Sequence, residues 1–194
     1  MDITLFANKA FALSTIVAQL FLAALLVYLV LMKVAPSAIP PALKKFFAFV
    51  AAHGLWLAFL TVVLSMAGSL FYSQVAGFPP CELCWYQRIF MYPLALVLLI
   101  GLIKRDSRVF DYALALAIVG GAIALFHNYI YYSNGGLNVI CQFGGIGISC
   151  TKRYVFEFNY VTIPLMSLTA FGTVIAFLLF HKFYAIHTKH LPVT

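Results

Sequence analysis

The sequence predicts an all-helical protein that crosses a membrane several times, and its composition and apolar runs carry that prediction. Hydrophobic residues make up 64% of the chain and charged residues only 9%, whereas soluble domains carry about 25% charged residues. The mean hydropathy is +1.03. The apolar residues fall into runs of about 20 residues, the length that crosses a bilayer as a helix. This pattern disfavours a soluble enzyme and a nucleic-acid-binding domain, despite a net charge of +7.

Five apolar runs predict five membrane spans in one compact helical bundle. The first run is too long for the apolar part of a cleaved signal peptide, so we expect it to be a retained helix. Between the first two runs, residues 33–49 are predicted to form a linker, because three prolines there break helices. The five runs cover roughly residues 10–32, 51–75, 85–103, 110–132 and 160–183.

The distribution of basic residues predicts the orientation of these spans. One side of the membrane receives eight lysines and arginines, the other receives three, and Arg88 falls within the third span. The positive-inside rule then places the N-terminus outside and the C-terminus inside. All four cysteines fall outside, in the oxidising compartment. The eight basic residues are Lys33, Lys44, Lys45, Lys104, Arg105, Arg108, Lys182 and Lys189, and the three are Lys9, Lys152 and Arg153.

Two pairs of cysteines are the candidate chemical groups. Cys81 and Cys84 lie just before the third span, and Arg88 follows one helical turn after Cys84. A nearby cation favours the thiolate, which is the reactive form of cysteine. Cys141 and Cys150 lie in the long loop before the last span, with a spacing wider than that of typical zinc ligands. We favour a redox site; a structural zinc site or inert disulfides remain the alternatives, and no resident metal is expected.

A histidine and an asparagine are predicted within the fourth span, at roughly the depth of Arg88. They are His127 and Asn128. An ionisable residue inside a span is a functional hypothesis by default, because burying it in lipid is costly. His127 could donate a hydrogen bond to a carbonyl oxygen or pass a proton. A plain polar contact between helices explains it equally well.

The segment from Pro80 to Pro93, Pro-Cys-Glu-Leu-Cys-Trp-Tyr-Gln-Arg-Ile-Phe-Met-Tyr-Pro, resembles the DsbB/BdbC family of membrane disulfide-bond-forming proteins. The cysteine loop and the segment 162–168, Thr-Ile-Pro-Leu-Met-Ser-Leu, strengthen the resemblance and are closer to the BdbC branch. The resemblance implies a four-helix redox bundle over residues 51–183. It leaves residues 1–50 as an extra N-terminal transmembrane helix with a cytoplasmic linker, of unassigned role, and residues 184–194 as a cytoplasmic tail.

The same resemblance implies an activity, a cofactor and a partner. An extracytoplasmic thioredoxin-fold dithiol oxidase, similar to DsbA, would be reoxidised by Cys141 and Cys150, with Cys141 expected to attack the partner. Electrons would pass to Cys81 and Cys84 and then to a membrane quinone, ubiquinone or menaquinone. In this scheme Arg88 and His127 bind the quinone. The protein would lie in the bacterial inner membrane, with both redox loops on the extracytoplasmic side, and would support disulfide formation in exported proteins.

Overall fold

The computed structural model describes residues 3–106, 108–133 and 149–189, with side chains as far as residue 184. An isolated antiparallel bridge joins Glu157 to Val161. Five helices within the described ranges are long and apolar enough to cross a membrane, which confirms the predicted all-helical class. The helices are α1 (Ile3–Val34), α2 (Pro41–Ala52), α3 (Gly54–Leu70, extended by a π-helical turn at Phe71–Val75), α4 (Glu82–Lys104), α5 (Val109–Tyr132) and α6 (Ile163–Lys189).

The last four helices form a closed ring. Helix α3 packs against α4 and α6, and α5 packs against the same two helices from the opposite side. Close approach within the ring depends on small residues such as Gly120, where an added Cβ would overlap the ring of the fully buried Phe171. Helices α1 and α2 pack on α6 from outside the ring. This is the expected arrangement of four helices plus an additional N-terminal helix.

The predicted linker contains a helix that the sequence analysis did not anticipate. Helix α2 begins at Pro41, directly after Pro40. Proline is well suited to the first helical position, because it lacks only a backbone N–H that would be unbonded there. Phe47 of α2 is 2% exposed, and its ring stacks on Tyr28 at 4.1 Å. The prolines therefore position a helix against α1, and the prediction of a helix-free linker was wrong.

Helix α4 begins three residues earlier than predicted, so that Cys84 lies in its first turn rather than in the preceding loop. Cys81 occupies the N-cap position in an extended conformation (φ −74°, ψ 172°). Proline disfavours the helical conformation in the residue before it, so Pro79 and Pro80 disfavour helix at Phe78 and Pro79, directly ahead of Cys81. The chain turns into this segment at Gly77, whose φ of +67° favours glycine. The helix start therefore falls between the two cysteines and separates their environments.

The bundle has two chemically different ends. At one end lie the start of α1, the loop that holds Cys81 and the start of α6; we call this the cysteine end. Phe11 of α1 contacts Tyr72 there, with ring centroids 5.5 Å apart. At the opposite end Lys182 pairs with Asp111 at 3.0 Å. The other lysines and arginines with described side chains at that end are Lys33, Lys44, Lys45, Lys104, Arg105 and Arg108.

Candidate functional site

The dithiol lies at the mouth of α4. The Sγ atoms of Cys81 and Cys84 are 3.2 Å apart, and both cysteines are free thiols. Cys81 is 5% exposed and packs with Leu83, Ile130 and Cys150. A separation of 3.2 Å exceeds a disulfide bond of about 2.05 Å. The geometry is that of a reduced pair whose sulfurs share a hydrogen bond.

His127 reaches this pair from α5. Its side chain is 2% exposed, and its Nε2 lies 3.8 Å from the Sγ of Cys81. On the other side of the ring, the amide Nε2 of Gln87 donates to Nδ1 at 3.0 Å. Since Nδ1 accepts that bond, the proton of the neutral ring lies on Nε2. His127 is therefore oriented as a hydrogen-bond donor toward the sulfur.

Cys150 belongs to the same cluster. It is 3% exposed and disulfide-bonded, and its carbonyl oxygen lies 3.2 Å from Nε2 of His127. One imidazole thus contacts both the Cys81 sulfur and the backbone of Cys150. Because its sulfur is already bonded, Cys150 supplies no thiolate to a four-cysteine zinc site in this structure. Cys141 lies outside the described residues.

Arg88 lies one turn below Cys84 and is held by α3. Its Nε donates to Ser69 Oγ and its Nη2 to the Ser69 carbonyl oxygen, both at 2.9 Å. The guanidinium also lies 5.1 Å from the centroid of the Trp85 ring and interacts electrostatically with Cys84. Among the described residues no carboxylate pairs with it. Its charge is therefore available to a bound group.

The environment of Cys81 favours its thiolate. The hydrogen bond from the Cys84 thiol is the largest influence; burial opposes it, and the hydrogen bond and charge interaction with His127 add to it. Together these lower the pKa of Cys81 to about 4. The sequence analysis expected activation of Cys84 by Arg88. In the structure the contacts that favour a thiolate converge on Cys81 rather than on Cys84.

These groups line one cavity of about 550 Å³. Ligand cavities commonly measure about 300–1,000 Å³ and are mostly apolar with a few placed polar groups. The hydroxyls of Tyr72 and Tyr92, which also line this cavity, are buried and have no hydrogen-bond partner in the described part of the chain. The predicted site residues on its wall are Cys81, Cys84, Arg88, His127 and Cys150.

Two residues essential to this geometry were not assigned a role from sequence. Gln87 orients His127, and Ser69 anchors Arg88. The position of Gln87 directly before Arg88, in the first turns of a span, was a usable signal, because a buried amide needs partners. Asn128 has a structural explanation, since its Nδ2 donates to the carbonyl oxygens of Ala124 and Pro164.

Comparisons with known proteins identify the family. Residues 51–181 match the family model described as disulfide bond formation protein DsbB. Disulfide bond formation protein C of Bacillus subtilis is 40% identical over 129 residues, covering 64% of this chain and 88% of that protein. The SPbeta prophage-derived disulfide bond formation protein B of the same organism is 42% identical over 126 residues, covering 65% and 82%.

A third relative extends the similarity beyond one genus. The probable disulfide formation protein C of Halalkalibacterium halodurans is 42% identical over 120 residues, covering 61% of this chain and 82% of that protein. No solved structure matches the chain. The match spans the four-helix ring, with its paired cysteines and apolar helices. The chain therefore belongs to the DsbB family of membrane disulfide bond formation oxidoreductases.

Proposed function

We propose that this protein is a thiol:quinone oxidoreductase that reoxidises an extracytoplasmic, DsbA-like dithiol oxidase. The observation that supports the proposal best is the shared cavity, whose wall holds the Cys81/Cys84 dithiol, Cys150, His127 and Arg88. A dithiol alone is compatible with many roles. A dithiol that adjoins a second cysteine, an unpaired cation and an apolar cavity fits electron transfer from a water-soluble donor to a lipid-soluble acceptor.

The protein part of the cycle consists of two thiol–disulfide exchanges. A thiolate of the reduced partner attacks the Cys141–Cys150 disulfide, and resolution of the mixed disulfide leaves the partner oxidised and the loop pair reduced. A loop thiolate then attacks the Cys81–Cys84 disulfide, which restores the loop disulfide and leaves Cys81 and Cys84 with the two electrons. His127 favours this direction because its Nε2–H stabilises a Cys81 thiolate.

The residues present fit a quinone. A quinone takes up two electrons and two protons when it is reduced, which would return Cys81 and Cys84 to a disulfide. Arg88 would hold one carbonyl oxygen, since its charge has no carboxylate partner among the described residues. The buried hydroxyls of Tyr72 and Tyr92, which line the same cavity, offer further donors.

The orientation of the bundle in the membrane is inferred from the charges at its two ends. The described basic residues concentrate at the end opposite the cysteines, which the positive-inside rule assigns to the cytoplasm. The cysteine end then faces the extracytoplasmic space of a bacterial inner membrane. A thioredoxin-fold partner in that compartment would lie on the same side of the membrane as Cys150.

Reconstitution with a reduced thioredoxin-fold protein and a soluble quinone tests the proposal through quinone absorbance. Cys84→Ser should abolish turnover with any donor. Cys150→Ser should abolish turnover with the protein donor but retain it with a small dithiol that reduces the Cys81–Cys84 disulfide directly. Loss of both activities in Cys150→Ser would contradict the proposed order of the two pairs.

The alternative is a non-enzymatic membrane protein with a structural zinc or disulfide site. Ligand atoms of Cys81, Cys84 and His127 lie within 4.8 Å of one another and could hold a metal ion. Metal analysis of the purified protein separates the two functions. Stoichiometric, tightly held zinc, together with disulfides that never turn over with a reduced partner, would establish the alternative.

A further inference from the structure

The additional N-terminal helix lines the cavity that contains the redox residues. Five residues of α1 contribute to the cavity wall, and their spacing places them on one helical face. The next residues around the helix, Leu13 and Val17, are 56% and 59% exposed and face away from the protein. The five residues are Ala10, Phe11, Ser14, Thr15 and Ala18.

The ring of four helices leaves an opening where α1 lies. At the basic end α3 and α6 touch closely: a Cβ added to Gly54 would lie 2.7 Å from His181 Cβ and 2.8 Å from the Phe177 carbonyl oxygen. Toward the cysteine end both helices instead border the cavity, at Gly68 on α3 and Thr169 on α6. The gap between α3 and α6, which we call the seam, therefore widens toward the cysteine end. Helix α1 covers the seam from outside the ring.

Helix α1 is attached to the bundle at two levels of the seam. Midway along it, Gln19 donates to Thr169 Oγ1 at 3.1 Å and accepts from the Tyr160 hydroxyl at 3.0 Å. Nearer the cysteine end the Phe11 ring packs on α3, where a Cβ added to Gly68 would lie 3.4 Å from it. The attachment makes the wall a fixed part of the bundle.

The α1 wall is apolar although it contains two hydroxyls. Ser14 and Thr15 both donate to the Phe11 carbonyl oxygen at 2.8 Å, so neither hydroxyl is left without a partner. The wall formed by α4 instead presents the cation of Arg88 and the hydroxyl of Tyr92, which have no carboxylate and no hydrogen-bond partner, respectively, among the described residues. A cavity that is polar along one wall and apolar along the other suits a flat ring that has carbonyl oxygens and an apolar substituent.

We propose that α1 forms the lipid-side wall of the quinone cavity, with Phe11 and Ala18 determining the space available to the ring. The proposal rests on the function proposed above and assigns a role to the helix that lies outside residues 51–181, the part matched by the family model. Helix α1 then limits the size of the quinone ring that fits the cavity of the four-helix redox bundle.

Direct binding of decyl-ubiquinone or a short-chain menaquinone analogue, measured without turnover, tests this role. Trp85 lies beside Arg88, and the chain has two tryptophans, so a Trp56→Phe background leaves Trp85 as the only tryptophan reporter. Ala18→Phe fills the cavity and should raise the dissociation constant by about tenfold or more. Val17→Phe adds the same bulk to the adjacent, outward-facing position and should leave binding unchanged.

Removal of bulk provides a second pair of variants if Ala18→Phe fails to fold. Phe11→Ala opens the wall and should weaken quinone binding several-fold, whereas Leu13→Ala on the outward face should not. Thiol–disulfide exchange with the reduced partner, measured without quinone, should be unchanged in all four variants. Retention of wild-type quinone affinity in Ala18→Phe, or equal weakening in Val17→Phe, would overturn the role of α1 and leave the proposed oxidase intact. Absence of quinone binding in the wild type would overturn the quinone step itself.

Discussion

Nε2 of His127 lies 3.8 Å from Sγ of Cys81, although 46 residues separate them in the chain. The same nitrogen lies 3.2 Å from the carbonyl oxygen of Cys150. One buried imidazole therefore joins the dithiol of α4 to the segment that carries the other described cysteine. In a low-dielectric site such a hydrogen bond has a large effect on which sulfur carries the negative charge.

The first prediction concerns the protonation of the reduced dithiol. Because the pKa of Cys81 is lowered to about 4, the thiolate absorbance of the reduced protein should be constant between about pH 6 and about pH 8 and should fall at lower pH. The folded pKa is below that of a free thiol. The stability that the thiolate adds to the reduced protein should therefore decline as the pH falls from about 9 to about 4.

An ultraviolet pH titration of the reduced protein measures this thiolate. Cys81→Ser should remove the low-pH inflection, which assigns it to that sulfur. A single inflection near pH 8.5, the value of an ordinary thiol, would contradict the proposed environment of Cys81.

The second prediction concerns Gln87, which acts through His127. Gln87→Leu removes the donor that holds the proton on Nε2, so the pKa of Cys81 should rise and exchange between the cysteine pairs should slow. Gln87→Glu places an acceptor at Nδ1, favours the doubly protonated ring and should lower that pKa. The thiolate titration distinguishes the two variants by the opposite direction of their shifts, whereas a purely structural role predicts no such reversal.

The third prediction concerns the anchoring of Arg88. Arg88→Ala should mainly raise the apparent KM for quinone, because it removes the unpaired cation from the cavity. Ser69→Ala removes one of two hydrogen bonds to the guanidinium, and such a bond to a charged group contributes about 1.5–3 kcal/mol. A smaller increase in KM is expected.

Ser65→Ala is the matched control for this pair. Ser65 also lines the cavity on α3, but within the described residues its hydroxyl donates to the Thr61 carbonyl oxygen and not to Arg88. Steady-state kinetics at varied quinone concentration should show no change in this variant. Unchanged quinone kinetics in Arg88→Ala would remove the assigned role of the arginine.

The fourth prediction tests the packing of the helix ring at two adjacent glycines. A Cβ at Gly120 would overlap the ring of the fully buried Phe171, whereas a Cβ at Gly121 would lie 3.5 Å from the nearest atom of that residue. Gly120→Ala should destabilise the protein by about 1–3 kcal/mol. Gly121→Ala should be nearly neutral. Thermal unfolding in detergent compares the two, and equal midpoints would contradict the tight contact between α5 and α6.

The sequence predicted the large-scale organisation well because hydrophobicity is a local property. The five apolar runs correspond to the five candidate spans, and the Cys81-to-Arg88 motif identified the family. Helix α2 was missed, because a proline such as Pro41 can either end or begin a helix. The residues that it packs against, among them Tyr28, are what decide between the two.

The sequence predicted only part of the candidate site. Cys81, Cys84 and Arg88 lie within eight residues, so their proximity follows from helical spacing. The contacts of His127 with Cys81 and Cys150 and the anchoring of Arg88 by Ser69 join different helices. Spacing within one helix carries no information about such contacts.

The amino-acid order by itself determined that the chain crosses a membrane, where its spans lie and which sulfurs are available for chemistry. These properties depend on residue type and near neighbours, because both the transfer of apolar surface out of water and the reactivity of a thiol are local. The tertiary structure alone decided that Cys81 shares an imidazole with Cys150 and that α1 borders the cavity. Those relationships arise from how the helices pack, and packing depends on the complementary shapes of side chains that are distant in the chain.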